Sequence, residues 1–367
     1  MDTTVLSATK AVQAASVPST STPVPWLLLL AVAWAAACGE AKPVNPVDAS
    51  AVAATDAAAD GASLADGGVD AAVAKDTGLG PTGLRVMTFN VMCSFCMDKV
   101  HEPWTARIPY LRDVIARHDP DLIGLQELFN AEPGNDDVES LFGPEHLWGA
   151  VYYHHKPGDL LEKDYTDATV MYRKARFELK DQGFFWLSPE PDTAFSNGFA
   201  PKGSFPRLVA WARLHDKKAK RDLYFATTHF DNNAPSQEKS APLSLQRLGP
   251  LAKQAPLIFI GDFNSKPPTK AYGILTTGED KADGSGKVAG GLVLQDAFVL
   301  APPPWQIEAG TQKPPAYDPA QRIDHVFVGG GAWKSLRWVV DLTVYGPPQW
   351  HPSDHDAIVA DLDWPPP

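Results

Sequence analysis

Only three cysteines, Cys38, Cys93 and Cys96, occur in 367 residues. So few cannot build a disulfide framework, so the fold must rest on a packed core. Apolar residues make up 44% of the chain, enough to bury one. Positive charge is also scarce: 32 Lys and Arg face 44 Asp and Glu, for a net charge of −12. The first eighty residues hold eight acids and three bases, so residues from 81 onward carry −7. A compact acidic body lacks the footprint of a protein that tracks nucleic acid by charge alone. Chemistry on phosphates stays open, because a bound divalent cation supplies local positive charge. The clearest basic cluster, "KKAKR" at 217–221, reads as an exposed turn between strands. An apolar run at 26–37, "WLLLLAVAWAAA", is short of membrane-spanning length.

That run fits the core of a signal peptide. The small residues before Cys38 resemble a bacterial lipoprotein processing site, with Cys38 as the lipidated first residue. Ala35 stands where that motif usually has Leu, and Lys10 is the only positive charge ahead of the run. An ordinary cleaved signal and an uncleaved anchor are the alternatives. Residues 1–38 are therefore expected to direct export, as a cell-envelope lipoprotein or a secreted protein. Residues 39–82 are rich in Ala, Asp and Gly and have no hydrophobic period, so a disordered acidic tether is expected. A lipid on such a tether would hold a soluble domain at a membrane surface.

The folded domain is expected over 83–364. "LRVMTFNV" alternates as a strand, and 104–118 places Ile108, Leu111 and Ile115 on one helical face that Asp119-Pro120 ends. "DLIGLQE", "ATVMYRK", "RLVAWARL", "LYFATTHFD", "LIFIGDFN", "RIDHVFV" and "DAIVADL" read as further strands. Parts of 241–254 and 269–276 read as helices. The 34 prolines and 28 glycines predict many loops and few long helices. The mixture predicts an α/β or α+β sandwich, with sheets inside and helices outside.

The strands share a peculiarity: they end in polar residues. Asn90 closes "TFN", Glu127 closes "LIGLQE", and His229 closes "FATTH". Asp262 and Asn264 follow "LIFIG", two apart and so on one face of a strand. Asp324 opens "DHVF", and Asp354 and His355 precede the last strand. Alone, Asp262 could order a turn, Asn90 could be a turn residue and Glu127 a surface charge. His351, Asp354 and His355 could be read as a zinc site, but no HExxH helix frames them. In chain order the motifs are TFN, QE, TH, GDFN, RID and SDH. This set resembles the endonuclease/exonuclease/phosphatase superfamily over about residues 84–363. "GFFWLSPEP" and "RLVAWARL" are similar to a bacterial branch of it.

The resemblance implies a four-layered α/β sandwich, two mixed sheets face to face with helices outside, and a site at one end. It implies hydrolysis of a phosphate ester, whether nucleic acid, phospholipid headgroup or small phosphorylated metabolite. Glu127 would hold Mg²⁺ or Mn²⁺, helped by Asn90 and Asp354; such ions use few protein carboxylates. Asp262 would take the proton of the attacking water, and Asn264 would hold that water or a phosphate oxygen. His355, fixed by Asp324, would donate to a phosphoryl oxygen, and His229 to another oxygen or the leaving group. A catalytically silent binding protein on the same fold is the alternative, as is a lipoprotein whose tether docks a partner; no central residue of the set is missing.

Other features are read separately. Asp231 and Asn232 could line the pocket or cap a turn, with the turn favoured. His325 should point away from the site on an alternating strand, and His154-His155 belong to a surface loop. Trp305 and Trp350 lie in Pro-rich loops. Cys93-x-x-Cys96 allows a redox motif or, with a second pair that is absent, a zinc knuckle. In an exported protein a local disulfide stiffening an active-site loop is the preferred reading.

Overall fold

A computed structural model describes residues 79–366 apart from 97–99, 133–134, 144–146, 281–285, 304–321 and 347–349. The expected signal segment, nearly all of the expected tether and Trp305 lie outside the described residues. Among the described residues no helix is long and apolar enough to cross a membrane.

Two six-stranded mixed sheets form the body. The first has the order β13 (Lys334–Val340), β14 (Ile358–Asp363), β1 (Leu84–Asn90), β2 (Leu122–Gln126), β6 (Tyr165–Arg173), β5 (Trp148–Tyr153). The second has the order β11 (Gln295–Asp296), β12 (Asp324–Gly329), β10 (Leu257–Asp262), β9 (Arg221–His229), β8 (Leu208–Asp216), β7 (Phe177–Trp186). Each sheet has one parallel pair near its middle, β1 with β2 and β9 with β10. The remaining pairings are antiparallel. A small ribbon of β3 (Ala131–Glu132) and β4 (Asn135–Asp136) stands apart. The helices are α1 (Trp104–His118), α2 (Asp137–Phe142), α3 (Ala234–Ala252), α4 (Lys270–Thr277) and α5 (Ala297–Leu300).

Alternation along each strand sorts the apolar residues into layers. Leu84 and Val86 of β1 and Ile258 and Ile260 of β10 meet between the sheets, with Phe225, Val326 and Ile358. Met87 and Phe89 turn outward onto Leu111, Val114 and Ile115 of α1. Leu257 and Phe259 turn the other way onto Ala241, Leu245 and Leu248 of α3. Gly124 permits the close approach of the sheets: a Cβ there would stand 2.5 Å from Thr227 Oγ1 and 2.8 Å from Ile260 Cγ1. The expected four-layered sandwich is the observed architecture.

The same period brings Asn90 of β1 and His229, Asp262 and Asp324 of the second sheet into line with the gap between the sheets. Thr88, Thr227 and Ile260, two residues before Asn90, His229 and Asp262, and Val326, two residues after Asp324, lie in that gap. Register completes the row: Asp262 pairs with His229 on one side and Asp324 on the other. Beneath it, Thr88, Gln126 and Thr227 form a buried polar layer, with Gln126 Nε2 donating to Thr227 Oγ1 at 3.0 Å.

Six strands went unread in the sequence: the two-residue β3, β4 and β11, and the longer β5, β7 and β13. β5, β7 and β13 lie at or next to sheet edges, and β7 leaves most of its middle exposed, so its "FELKDQGFFW" hardly alternates. Helix α3 starts at Ala234, ahead of the expected 241, because Pro235 sits in the first turn, where its missing N–H costs nothing.

Candidate active site

Asp262 stands at the centre and is 1% exposed. Its Oδ1 accepts from the backbone N–H of Asn264 at 2.8 Å. Its Oδ2 accepts from Asn90 Nδ2 at 3.2 Å, with His229 Nε2 at 3.4 Å and His355 Nε2 at 3.7 Å from the same oxygen. Burial, then the Asp324 carboxylate, push the Asp262 pKa up, while the two histidines pull it back.

Each histidine is held from behind by an aspartate. His355 Nδ1 lies 2.8 Å from Asp324 Oδ2, and His229 Nδ1 lies 2.9 Å from Asp167 Oδ1. A carboxylate only accepts, so these contacts put a proton on each Nδ1 and turn each Nε2 toward Asp262. Burial lowers the His355 pKa, but Asp324 and Asp262 overrule it and hold it well above the usual imidazole value. For His229, burial and the Arg207 charge lower the pKa, and Asp167 and Asp262 leave it raised.

Asp167 and Arg207 were not among the sequence candidates. Arg207 Nη1 donates to Asp167 Oδ2 at 2.8 Å and comes within 2.7 Å of His229 Nδ1. Because Nδ1 carries a proton toward Asp167, Arg207 acts on the histidine through the carboxylate. Burial raises the Asp167 pKa, but His229 and Arg207 bring it down to about 2. A signal was present: "YTDAT" sets a charge in an apolar strand. It lies at the start of β6, and β6 runs antiparallel to β2, with Gln126 opposite Ala168.

Glu127 follows the last residue of β2 with a left-handed backbone, φ 66°, which swings it off the strand. Oε1 accepts from Asn90 Nδ2 at 3.0 Å and Oε2 from the backbone N–H of Cys93 at 3.0 Å. Burial, then the Asp354 carboxylate, raise its pKa. Glu127 and Asp354 are half-buried, unlike the dyads behind them. The two carboxylates, with the Asn90 amide bonded to Glu127, form a hard oxygen donor set. Those residues fit Mg²⁺ or Mn²⁺. Asp262, Asp324 and His355 also bring ligand atoms within 4.8 Å of one another. There the charges are already paired with the histidine, which suits proton handling better than a cation.

Asn264 has φ 48° and donates its side-chain N–H to Phe230 O at 2.9 Å. That leaves its Oδ1 as an acceptor and its second N–H as a donor, groups that match the two roles expected of it, holding a water or a phosphate oxygen. Asp231 accepts from the backbone of Asn233 at 2.8 Å, the turn arrangement favoured above, and Asn232 is exposed. His325 is fully buried, with Nε2 2.8 Å from Ser265 O. His154 and His155 are exposed and share Asp164. His351 is half-buried, and Trp350 exchanges backbone hydrogen bonds with Tyr345. Cys93 and Cys96 form a disulfide.

A model of the endonuclease/exonuclease/phosphatase family matches residues 87–355. No curated protein matches the chain. Among solved structures, an endonuclease/exonuclease/phosphatase from Bacteroides vulgatus is similar at 22% identity with TM-score 0.61, covering 77% of this chain and 99% of that one. A mannosyl-6-phosphatase from Bacteroides thetaiotaomicron is similar at 22% identity with TM-score 0.59, covering 77% and 100%. The D. rerio TDP2 protein complexed with a single-strand DNA product is similar at 17% identity with TM-score 0.54, covering 77% and 100%. With the family model spanning most of the folded part, the chain belongs to the endonuclease/exonuclease/phosphatase family.

Proposed function

We propose that the chain is a divalent-metal-dependent hydrolase of phosphate esters, with Asp262 as the base that takes a proton from the attacking water. The observation that carries this reading is the convergence on one buried oxygen. Asp262 Oδ2 meets Asn90 Nδ2 at 3.2 Å and the Nε2 atoms of His229 and His355 at 3.4 and 3.7 Å. Glu127, Asp354 and Asn90 would hold the cation, which when bound neutralises charge building on the phosphoryl oxygens. Asp262 Oδ2 receives the water's proton, with Oδ1 pinned by Asn264 N–H so that the carboxylate cannot rotate away. Asn264 Oδ1 accepts the water's second hydrogen. The raised pKa values of His355 and His229 favour the charged form of each ring. Each Nε2–H is then free to bond a phosphoryl oxygen or to protonate the leaving one.

Substrates of modest size, a phosphorylated metabolite or a lipid headgroup, suit this chain better than long nucleic acid. The basic cluster at 217–221 is the turn between β8 and β9. It begins β9, whereas His229 ends it, roughly 26 Å away at 3.3 Å per residue. The basic turn therefore lies at the far end of β9 from the site. The similar structures include a mannosyl-6-phosphatase and a DNA-product complex, so the fold accommodates both scales. The full chain should cleave at least one of a sugar phosphate, a phosphoinositide, sphingomyelin, RNA, plasmid DNA or a chromogenic diester in Mg²⁺. Chelation should stop that cleavage. A folded chain that binds no Mg²⁺ or Mn²⁺ and cleaves none of them would sink the reading. Export with lipid on Cys38 belongs to the same proposal. Cys38→Ala should move the protein from membranes to the soluble fraction, and unchanged fractionation would argue against the anchor.

A further inference from the structure

Arg107 lies on α1, outside the constellation above, and is fully buried. A guanidinium keeps its charge at any ordinary pH, so its burial is costly unless its N–H groups find acceptors. Here they find backbone carbonyls. Nε donates to Glu102 O at 3.0 Å, Nη1 to Val91 O at 2.7 Å and Pro352 O at 2.9 Å, and Nη2 to Met92 O at 2.8 Å and Cys93 O at 3.1 Å.

The addresses of those carbonyls are informative. Val91 to Cys93 follow Asn90, and the Cys93 N–H is the group that bonds Glu127 Oε2. Pro352 stands two residues before Asp354. One guanidinium thus ties the segment that holds Glu127 to the segment that carries Asp354. A second tie runs the same way: Ser353 Oγ donates to Asn90 O at 2.7 Å. The segment also needs holding, because Met92 has a left-handed backbone, φ 54°, that a side-chain-bearing residue rarely adopts unaided. The Cys93–Cys96 disulfide closes its far end.

The geometry points to Arg107 and the Cys93–Cys96 disulfide as a positioning brace that sets the separation of Glu127 and Asp354, and so the affinity of the site for a small divalent cation. This rests on the reading of those two carboxylates as the cation's ligands. The physical reason is geometric: Glu127 Oε2 is held by the Cys93 N–H, and the Asp354 segment is held to the same stretch through Pro352 O and Ser353 Oγ, so without the brace the two carboxylates shift independently. Ions of the size of Mg²⁺ or Mn²⁺ demand short, near-octahedral oxygen contacts and tolerate such shifts poorly. Partners that orient metal ligands from behind typically alter affinity by about 10- to 100-fold.

The test titrates the full-length chain with Mn²⁺, following free ion by electron paramagnetic resonance, alongside near-ultraviolet circular dichroism. The variants are Arg107→Lys, which lacks the forked donors, and the pair Cys93→Ala/Cys96→Ala, which keeps the Cys93 backbone N–H. Alanine is needed at both positions because the two sulfurs and Glu127 lie within 4.8 Å, and a single freed thiol would offer the ion a new ligand. Both variants should fold and bind Mn²⁺ about 10-fold or more weakly, and saturating Mn²⁺ should restore most of kcat. Native circular dichroism with wild-type Mn²⁺ affinity in both overturns the inference; if Arg107→Lys does not fold, the alanine pair decides. Glu127→Gln is the control. If it binds Mn²⁺ as the wild type does, the carboxylate reading itself fails, a result distinct from failure of the brace alone.

Discussion

Replacing Asp167 by Asn keeps the shape of the side chain and deletes its charge. The carboxylate is fully buried between His229 and Arg207 and held at about 2. An unfolded aspartate titrates near 4, so the ionised form gains about 2–3 kcal/mol on folding. The shift is downward, so this stability is fully present above the unfolded value and lost as pH falls through the folded one. About half should be gone by pH 3. The amide in its place would also leave the Arg207 charge buried without its counter-ion, and breaking such a pair costs about 3–5 kcal/mol. Urea unfolding of wild type and Asp167→Asn at pH 7, 5, 4 and 3 measures both. The expected gap is about 3 kcal/mol at pH 7, steady to pH 5 and narrowing toward pH 3. A variant as stable as wild type at pH 7, or a gap that ignores pH, would refute the electrostatic account of this pair. The same variant should lose activity while folded, because His229 loses the partner that places a proton on Nδ1.

Other consequences follow from the same geometry. Asp262→Asn should lower kcat by about 10²- to 10⁴-fold while Mn²⁺ binding stays within a few-fold, since the base and the cation's carboxylates are different residues; loss of Mn²⁺ binding would reassign Asp262. Gly261 has φ 148°, and a Cβ there would lie 2.1 Å from Thr228 O on the neighbouring strand. Gly261→Ala should therefore push β10 from β9, lowering the melting temperature and activity together, and a fully active, equally stable variant would contradict the register. Lys217, Lys218 and Lys220 replaced together by Ala should leave kcat/KM within about twofold on the best substrate; a large loss, restored at low salt, would point to a charge-guided polymer.

Much of the site was legible because strands alternate. Asn90, His229, Asp262 and Asp324 each lie an even number of residues from apolar neighbours that fill the gap between the sheets, so the face they take follows from period, while register sets Asp262 beside His229 and Asp324. Glu127 was readable as the residue after "LIGLQ", though not its left-handed backbone. Asp167 and Arg207 escaped for a topological reason. They sit where strands begin, and only antiparallel pairing with β2 and β9 carries those beginnings to the end where the other strands finish. Arg107 escaped because a charged residue in an amphipathic helix ordinarily faces water. Its burial depends on two loops, distant in sequence, that supply the carbonyls. The edge strand β7 carries little alternation because most of its middle residues are open to solvent, and β5 because its half-buried Ala150 and Tyr152 are as apolar as the buried residues beside them.

The most direct test of the central claim is hydrolysis of a chromogenic phosphodiester by the full chain in Mg²⁺ and ¹⁸O-labelled water, beside Asp262→Asn. Water activated by Asp262 and delivered to phosphorus predicts ¹⁸O in the phosphate product, none in the released alcohol, and product formation that collapses in the variant and with chelator. Label in the alcohol, or equal turnover by wild type and Asp262→Asn, would contradict it.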